Sequence, residues 1–207
     1  MELPLREERM WEGYPESTNG PYGISKRNSW VQLDAYRKEF GFNGIYLIPA
    51  SMYGPRDSLD PARSHVTSAL IQRCCSAVRD GAASITVWGS GVATREFYYV
   101  EDAAAALIKG AEIYNDTTPL NIGTGQETSV RDLTSIIARL TGFGGEIVFD
   151  SSKPDGELRR LFDSSKARAV LGEISPTPLE EGLRRTIDWY REVVIEELLL
   201  ATCPRLL

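Results

Sequence analysis

Asn43-Gly44-Ile45-Tyr46-Leu47-Ile48-Pro49 is a short apolar run, rich in β-branched and aromatic residues, between a helix-like segment and a polar loop. It reads as a buried strand that runs into the loop Ala50 to Asp60. On its amino side a helix spans residues 21–40, opened by Pro21 and closed by Gly41. On its carboxyl side a helix from about Pro61 to Arg79 stops at Asp80-Gly81. Ile85 to Trp88 then forms a short strand, Gly89 to Gly91 a turn, and 95–100 an extended run. An Ala-rich helix follows from Glu101 to about Tyr114, small enough along Ala103 to Ala106 to lie close on a sheet. Strands at 119–122 and 146–149 flank a helix that Thr128 and Ser129 cap and that ends near Leu140. The polar stretch 150–160 is a loop, and helices near 164–171 and 178–200 complete the pattern. Strand and helix alternating in this way predict an α/β fold with a largely parallel sheet.

The composition is that of a globular protein: 207 residues, 42% hydrophobic and 25% charged, with neither repeats nor low-complexity tracts. A net charge of -6 argues against a general nucleic-acid binder, which needs a basic face. Three cysteines, two of them adjacent at Cys74-Cys75, form neither a disulfide framework nor a metal-ligand spacing. Reduced thiols and a cytoplasmic location are therefore expected. Residues 1–13 carry four glutamates and no apolar core of a signal peptide. The apolar stretch Val193 to Leu200 is interrupted by Glu196 and Glu197 and is too short to span a bilayer.

Near the first helix start, Tyr22 and Lys26 stand four residues apart, which puts both on one helix face. A phenol beside a fixed ammonium is made a better proton donor, because its anion is stabilised. On spacing alone, an exposed Tyr and Lys on an ordinary helix is the better reading of the pair. The turn Gly123-Thr124-Gly125-Gln126-Glu127-Thr128 follows a strand and opens a helix, as a dinucleotide fingerprint would. It lacks the third glycine, and no following strand carries a ribose-binding acid at the required distance, so it reads as a tight turn.

The Tyr22/Lys26 pair is followed in order by seven further motifs. They are Pro49-Ala-Ser-Met-Tyr-Gly-Pro55, Ser64-His65-Val66, Val87-Trp-Gly-Ser-Gly91, Arg95-Glu-Phe97, Val100-Glu-Asp102, Asn121-Ile-Gly-Thr-Gly125 and Ser152-Lys-Pro-Asp-Gly156. In this order the chain resembles the extended short-chain dehydrogenase/reductases of the NAD-dependent epimerase/dehydratase family. The Ser-His-Val, Trp-Gly-Ser-Gly and Lys-Pro-Asp-Gly segments tilt the resemblance toward the GDP-L-fucose synthase branch. It runs from about Pro15 to Val193.

The resemblance implies an NADPH-dependent epimerase/reductase. Such an enzyme converts GDP-4-keto-6-deoxy-D-mannose to GDP-L-fucose by epimerising C3 and C5 and then reducing C4. It implies an incomplete Rossmann-like parallel sheet plus a smaller α/β substrate-binding domain. The NADP-binding part would comprise 14–50 and 96–123, the substrate part 51–95 and 124–194, and a tail 195–207. By the same resemblance Tyr22 donates the proton to the C4 oxygen, Lys26 binds the nicotinamide ribose, and His65 is the acid/base of epimerisation. Pro49, Ala50, Ser51 and Met52 would line the nicotinamide end of the cofactor, with His65 beside it. Ala50 and Ser51 replace the family's Thr and Asn, which weakens that grip. Arg73, Trp88, Arg95 and Asp155 match substrate-binding positions, and a guanidinium fork suits the diphosphate of a GDP-sugar.

Other roles fit several of these residues. His65 could cap a helix, Arg73 could be a solvated helix residue, and Arg95 could pair with Glu96 or Asp102. Trp88 could be core, and Asp155 could serve the Pro-Asp-Gly turn. Family members carry a glycine-rich phosphate turn, a catalytic Ser and an epimerisation Cys upstream of the Tyr, and only 21 residues precede Tyr22 here. Cys74, Cys75 and Cys203 do not match that Cys. The chain alone is therefore expected to bind NADPH negligibly. Alternatives are another nucleotide-sugar epimerase/reductase or a non-catalytic remnant. Neither a metal, a nucleic acid nor a membrane is expected as a partner, and the resemblance implies a homodimer.

Overall fold

The computed structural model describes residues 3–15, 19–60, 63–172 and 175–202, with side chains placed as far as residue 193. In chain order the elements begin with a short 3-10 turn Glu7–Arg9, α1 Gly20–Phe40, β1 Leu47–Pro49, β2 Ser51–Tyr53 and α2 Val66–Asp80. They continue with β3 Ser84–Trp88, β4 Thr94–Arg95, β5 Phe97–Tyr99, α3 Val100–Ile113 and β6 Leu120–Ile122. Then come β7 Thr128–Ser129, α4 Val130–Thr141, β8 Glu146–Asp150, β9 Arg159–Arg160, α5 Ser165–Leu171 and α6 Leu179–Thr202. The α/β reading holds, and the strand pairs β1/β6, β3/β8 and β4/β9 are all parallel.

Two element boundaries move from their expected places. The strand that opens at Asn43 in the sequence pairs only from Leu47, and its residues are half-buried rather than fully buried. The helix expected from Pro61 begins at Val66, because the Asp60 carbonyl accepts from Arg63 N–H (2.9 Å) and Ser64 N–H (2.8 Å) in a turn that precedes it. Pro61 itself, Cys203 and the tail beyond Thr202 lie outside the described residues. Stop signals behave as read: Gly41 and Gly81 end α1 and α2 with φ of 67° and 64°, left-handed values that suit glycine. Ser129 caps α4 by accepting from Asp132 N–H at 3.0 Å.

Contacts divide the chain into two compact units. The first comprises Met1–Met52, Thr94–Glu127 and Glu157–Pro176. Its core gathers Ala50, Tyr98, Leu120, Ile122 and Leu171 around Ala103 and Ala106 of α3. The small residues of α3 do what the sequence suggests. A Cβ on Gly110 would come within 2.8 Å of the Leu47 side-chain tip in β1, so its absence lets that leucine pack directly on the helix. The N-terminal segment is fastened to β6, where Asn121 N–H donates to the buried Glu7 carboxyl at 2.7 Å and Asn121 Nδ2 donates to the Leu5 carbonyl at 3.0 Å.

Glu96 is the polar centre of this unit. It is only 2% exposed. One carboxyl oxygen accepts from Gly125 N–H at 2.7 Å and the other from Phe162 N–H at 3.1 Å. Gly123 lies so close that an added Cβ would collide with the same carboxyl. One side chain thus ties the loop after β6 to the segment before α5.

The second unit comprises Tyr53–Ala93, Thr128–Gly156 and Thr177–Leu207. β3 alternates strictly, with Ile85 and Val87 inward and Ser84, Thr86 and Trp88 outward. Leu70, Ile71 and Cys74 of α2, Leu133 and Ile137 of α4, and Leu183 and Ile187 of α6 complete its core.

Removing the Glu96 carboxyl takes the acceptor from two part-buried N–H bonds, those of Gly125 and Phe162, at roughly 1–2 kcal/mol each. Glu96→Ala is therefore expected to lower the free energy of unfolding by about 2–4 kcal/mol in urea titration. A loss below about 1 kcal/mol would mean that water replaces the carboxyl there at little cost.

Candidate active site

The residues singled out in the sequence fall into both units. Tyr22, Lys26, Pro49, Ala50, Ser51, Met52 and Arg95 belong to the first, and His65, Arg73, Trp88 and Asp155 to the second.

In the first unit, Tyr22 and Lys26 sit in the opening turns of α1, and Lys26 Nζ is 5.2 Å from the centroid of the Tyr22 ring. Both are exposed. The helical spacing therefore does bring ammonium and phenol together. Tyr46, which leads into β1, donates its hydroxyl to the Lys26 carbonyl at 2.6 Å. Burial, and after it the neighbouring Tyr22, pushes the Tyr46 phenol up, so at neutral pH it keeps the proton it donates. This bond fixes the turn of α1 that carries Lys26 against the strand-leading segment. Tyr46 has no motif to mark it, and only its place one residue before β1 hints at such a contact.

β1 ends where the expected nicotinamide-facing residues begin. Ala50 is buried and donates its N–H to the Ile122 carbonyl at 2.8 Å, Ser51 is half-buried, and Met52 is exposed. Because β1 and β6 are parallel, Pro49–Met52 and Gly123–Gly125 leave the sheet at the same end. Carboxyl ends of parallel strands are where open α/β sheets take ligands. The Gly123–Gly125 turn is a poor phosphate cradle, since the Glu96 carboxyl already accepts from Gly125 N–H and crowds Gly123. The tight-turn reading of that segment fits this geometry. Arg95, in β4, donates from Nη1 to the carbonyl of Thr94 at 2.7 Å.

In the second unit, His65 occupies the N-cap position of α2, but its side chain makes no capping bond. The imidazole turns instead to Asp57, with Nδ1 at 3.1 Å from one carboxyl oxygen and 3.4 Å from the other. Asp57 also accepts from Ser58 N–H at 2.8 Å and from Ser68 Oγ at 2.5 Å. Burial is the largest single influence on Asp57 and pushes its carboxyl up. The bonds from Ser68, His65 and Ser58 together outweigh it and hold the group below the usual carboxylate range. Neither Asp57 nor Ser68 stands out in the sequence, because their meeting depends on the loop 50–60 folding back over the start of α2.

The remaining three residues surround the parallel pair β3/β8. Arg73 of α2 donates Nη1 to the Thr86 carbonyl, so it is not simply solvated. Trp88 is 68% exposed, which excludes a core role, and Lys153 Nζ lies 5.9 Å from its ring centroid. Asp155 accepts from Ser90 N–H at 2.7 Å and from Ser90 Oγ at 2.9 Å. Gly89, with φ of 84°, lies so close to Asp155 that a Cβ there would strike its carboxyl. The Trp-Gly-Ser-Gly and Lys-Pro-Asp-Gly segments are thus one braced structure, which their separation of some sixty residues conceals. Among the described residues no group of His, Cys, Asp and Glu could hold a metal, and no helix is long and apolar enough to cross a membrane.

Residues 2–123 match the NAD dependent epimerase/dehydratase family. The chain is 40% identical over 192 residues to a probable GDP-L-fucose synthase 1 of Oryza sativa subsp. japonica, covering 93% of this chain and 58% of that one. It is 42% identical over 185 residues to a GDP-L-fucose synthase of Sinorhizobium fredii, covering 89% and 59%. The chain thus spans less than two thirds of the length of these relatives. The crystal structure of a GDP-L-fucose synthetase from Naegleria fowleri bound to NADP superposes with a TM-score of 0.88 at 28% identity, over 94% of this chain and 63% of that one.

Of the two thiols of α2, Cys74 is buried and Cys75 half-buried. Cys74 is fully buried, and burial first, then the adjacent Cys75, pushes its thiol up to about 11. Burial raises Cys75 as well, against the partial opposition of Arg191. Alkylation at neutral pH is accordingly expected to modify Cys74 in the folded protein at least tenfold more slowly than in denaturant, read by peptide mass spectrometry. Equal rates in the two states would contradict this placement.

Proposed function

The chain belongs to the NAD dependent epimerase/dehydratase family, and from that premise we propose that it carries the proton-transfer and GDP-sugar-binding part of a GDP-L-fucose synthase-type epimerase/reductase. The reaction is epimerisation of GDP-4-keto-6-deoxy-D-mannose at C3 and C5, followed by reduction at C4 to GDP-L-fucose. The observation that carries this reading is the Tyr22/Lys26 pair, set together on α1 in a chain 40–42% identical to proteins named for that activity.

NADPH, when bound, supplies the hydride that reduces C4. The residues present fit its nicotinamide-ribose end: Lys26 offers an exposed ammonium and Tyr22 a hydroxyl, with Pro49, Ala50, Ser51 and Met52 on the loop leaving β1. Among the described residues, the strand-to-helix glycine turn on offer for a pyrophosphate is Gly123–Gly125, which Glu96 crowds. Tyr22 donates its proton to the C4 oxygen as the ketone becomes an alcohol, and Lys26 stabilises the phenolate left behind. Before that step the C4 ketone acidifies the C–H bonds at C3 and C5, and His65 exchanges protons there. Arg73 and Arg95 pair with the diphosphate, while Trp88 and Asp155 flank the sugar nucleotide.

Residues 14–50 and 96–123 are assigned to the dinucleotide-binding part and 51–95 with 124–194 to the substrate part. A cytoplasmic homodimer acting on soluble GDP-sugars completes the reading. Nucleic acid and membrane have no place in it.

Calorimetric titration of the chain with GDP tests the substrate half. Binding is expected, weakened about tenfold or more in Arg95→Ala if a charge-assisted bond to phosphate is lost. Absence of GDP binding counts against the proposal. A chimera that joins the N-terminal segment of the Sinorhizobium fredii relative to this chain tests the chemistry. In it Tyr22→Phe is expected to slow C4 reduction by about 10²–10⁴-fold, and His65→Gln to stop deuterium uptake at C3 and C5 from heavy water. Undiminished reduction by the Tyr22→Phe chimera would sink the assignment of Tyr22.

A further inference from the structure

The Asp57–His65–Ser68 cluster has a geometry that says more than that a histidine is present. Asp57 holds three donors at once: Ser58 N–H on one oxygen at 2.8 Å, Ser68 Oγ on the other at 2.5 Å, and His65 Nδ1 at 3.1 Å. Ser68 is itself buried in the first turn of α2, so the carboxyl is anchored to the helix as well as to the loop. The start of a helix also favours a negative charge beside it. Asp57 is one-fifth exposed while the His65 side chain is three-quarters exposed, so the acid is held inside and the ring projects from it.

We infer that Asp57 is the positioning residue of His65, fixing the imidazole as its Nδ1–H tautomer and leaving Nε2 as the atom that takes and returns protons. An ionised carboxylate can only accept, so the ring nitrogen facing it must carry a hydrogen. A neutral ring with its proton on Nδ1 has its lone pair on Nε2, in a side chain that is three-quarters exposed. When Nε2 takes a proton from carbon, the C–H electron pair moves into the enolate and the ring becomes a cation. Asp57 then faces that cation at hydrogen-bond distance, and Nε2 serves one face of the carbon as base or as acid. Inversion needs the opposite face of the enolate to be served by a second group, the role the resemblance gives to a cysteine upstream of the Tyr. The role in sugar epimerisation rests on the function proposed above. The tautomer assignment does not, because it follows from the contacts of Asp57 alone.

His65 is the only histidine of the chain, which makes the test direct. Nitrogen-15 spectra of the histidine-labelled wild-type protein, recorded with the ring neutral, should show Nδ1 as the protonated, pyrrole-type nitrogen and Nε2 as the pyridine-type one. Asp57→Ala should lose this pattern and give the Nε2–H form that unconstrained side chains favour. Asp57→Asn should keep it, since an amide oxygen in place of the shared carboxyl oxygen still accepts from Nδ1 and Ser58 while its NH2 donates to Ser68 Oγ. A role confined to anchoring α2 predicts reduced stability in Asp57→Ala with the tautomer unmoved. An Nε2–H ring in the wild-type protein, or an unchanged Nδ1–H ring in folded Asp57→Ala, overturns the inference. The wild-type spectrum decides even where the alanine variant does not fold. No step of the test turns over a sugar, so it stands or falls apart from the GDP and chimera experiments.

Discussion

Parallel pairing is the constraint on which the candidate site depends. Antiparallel strands send their loops to opposite ends of a sheet, whereas parallel neighbours deliver both carboxyl-terminal loops to one end. In the first unit this rule brings Pro49–Met52 and Gly123–Gly125 together, through the register Pro49 opposite Ile122. In the second it brings the turn after Trp88 to the loop after Asp150, through the register Trp88 opposite Asp150. Each meeting point is then locked by one acid. Glu96 bonds the turn after β6, and Asp155 bonds the turn after β3. Glycine stands at both points because the acid occupies the space a Cβ would need, so backbone, acid and glycine specify one another.

This arrangement explains what was legible in the sequence and what was not. Element type and order follow from local pattern: Pro21 and Gly41 bracket α1, Ser129 caps α4, and the alanines of α3 mark a helix laid on a sheet. Such signals act over a few residues and survive folding. Tyr22 and Lys26 belong with them, because a four-residue spacing on a helix is already a contact. The acids were legible only in part. Asp155 is marked by its turn, yet nothing local to it announces that both its oxygens accept from Ser90. Glu96 lies inside a recognisable run beside Arg95, but its partners at Gly125 and Phe162 come from distant segments. Asp57 meets His65 across a loop whose path no periodicity sets. Boundaries erred where a turn competed with a regular element, as at Asp60 before α2.

His65 shows how position and chemistry separate. A residue at an N-cap ordinarily uses its side chain to satisfy a free N–H of the first turn. Here the imidazole makes no such bond and faces Asp57, a carboxyl that also accepts from Ser68 in the first turn. A histidine that caps a helix is committed at one nitrogen to structure. One held by a carboxylate keeps its other nitrogen for exchange, with a fixed orientation and a counter-charge in place.

Tyr22 and Lys26 raise the opposite question, since both are exposed and water stands between their charges and any use of them. A unit charge 4 Å from another is worth about 1 kcal/mol in water and about 4 kcal/mol at the effective dielectric of a protein surface. The pair is therefore weak as it stands on α1, and becomes strong only when something excludes water from it. A ligand laid across the exposed face would do so, replacing hydration by a fixed ammonium beside the phenol. Tyr46 holds the Lys26 turn of the helix to the strand segment before β1, so that this backbone is already fixed. The energetic contribution of the Tyr–Lys pair is accordingly a property of the liganded state, with the helix supplying only its geometry in advance.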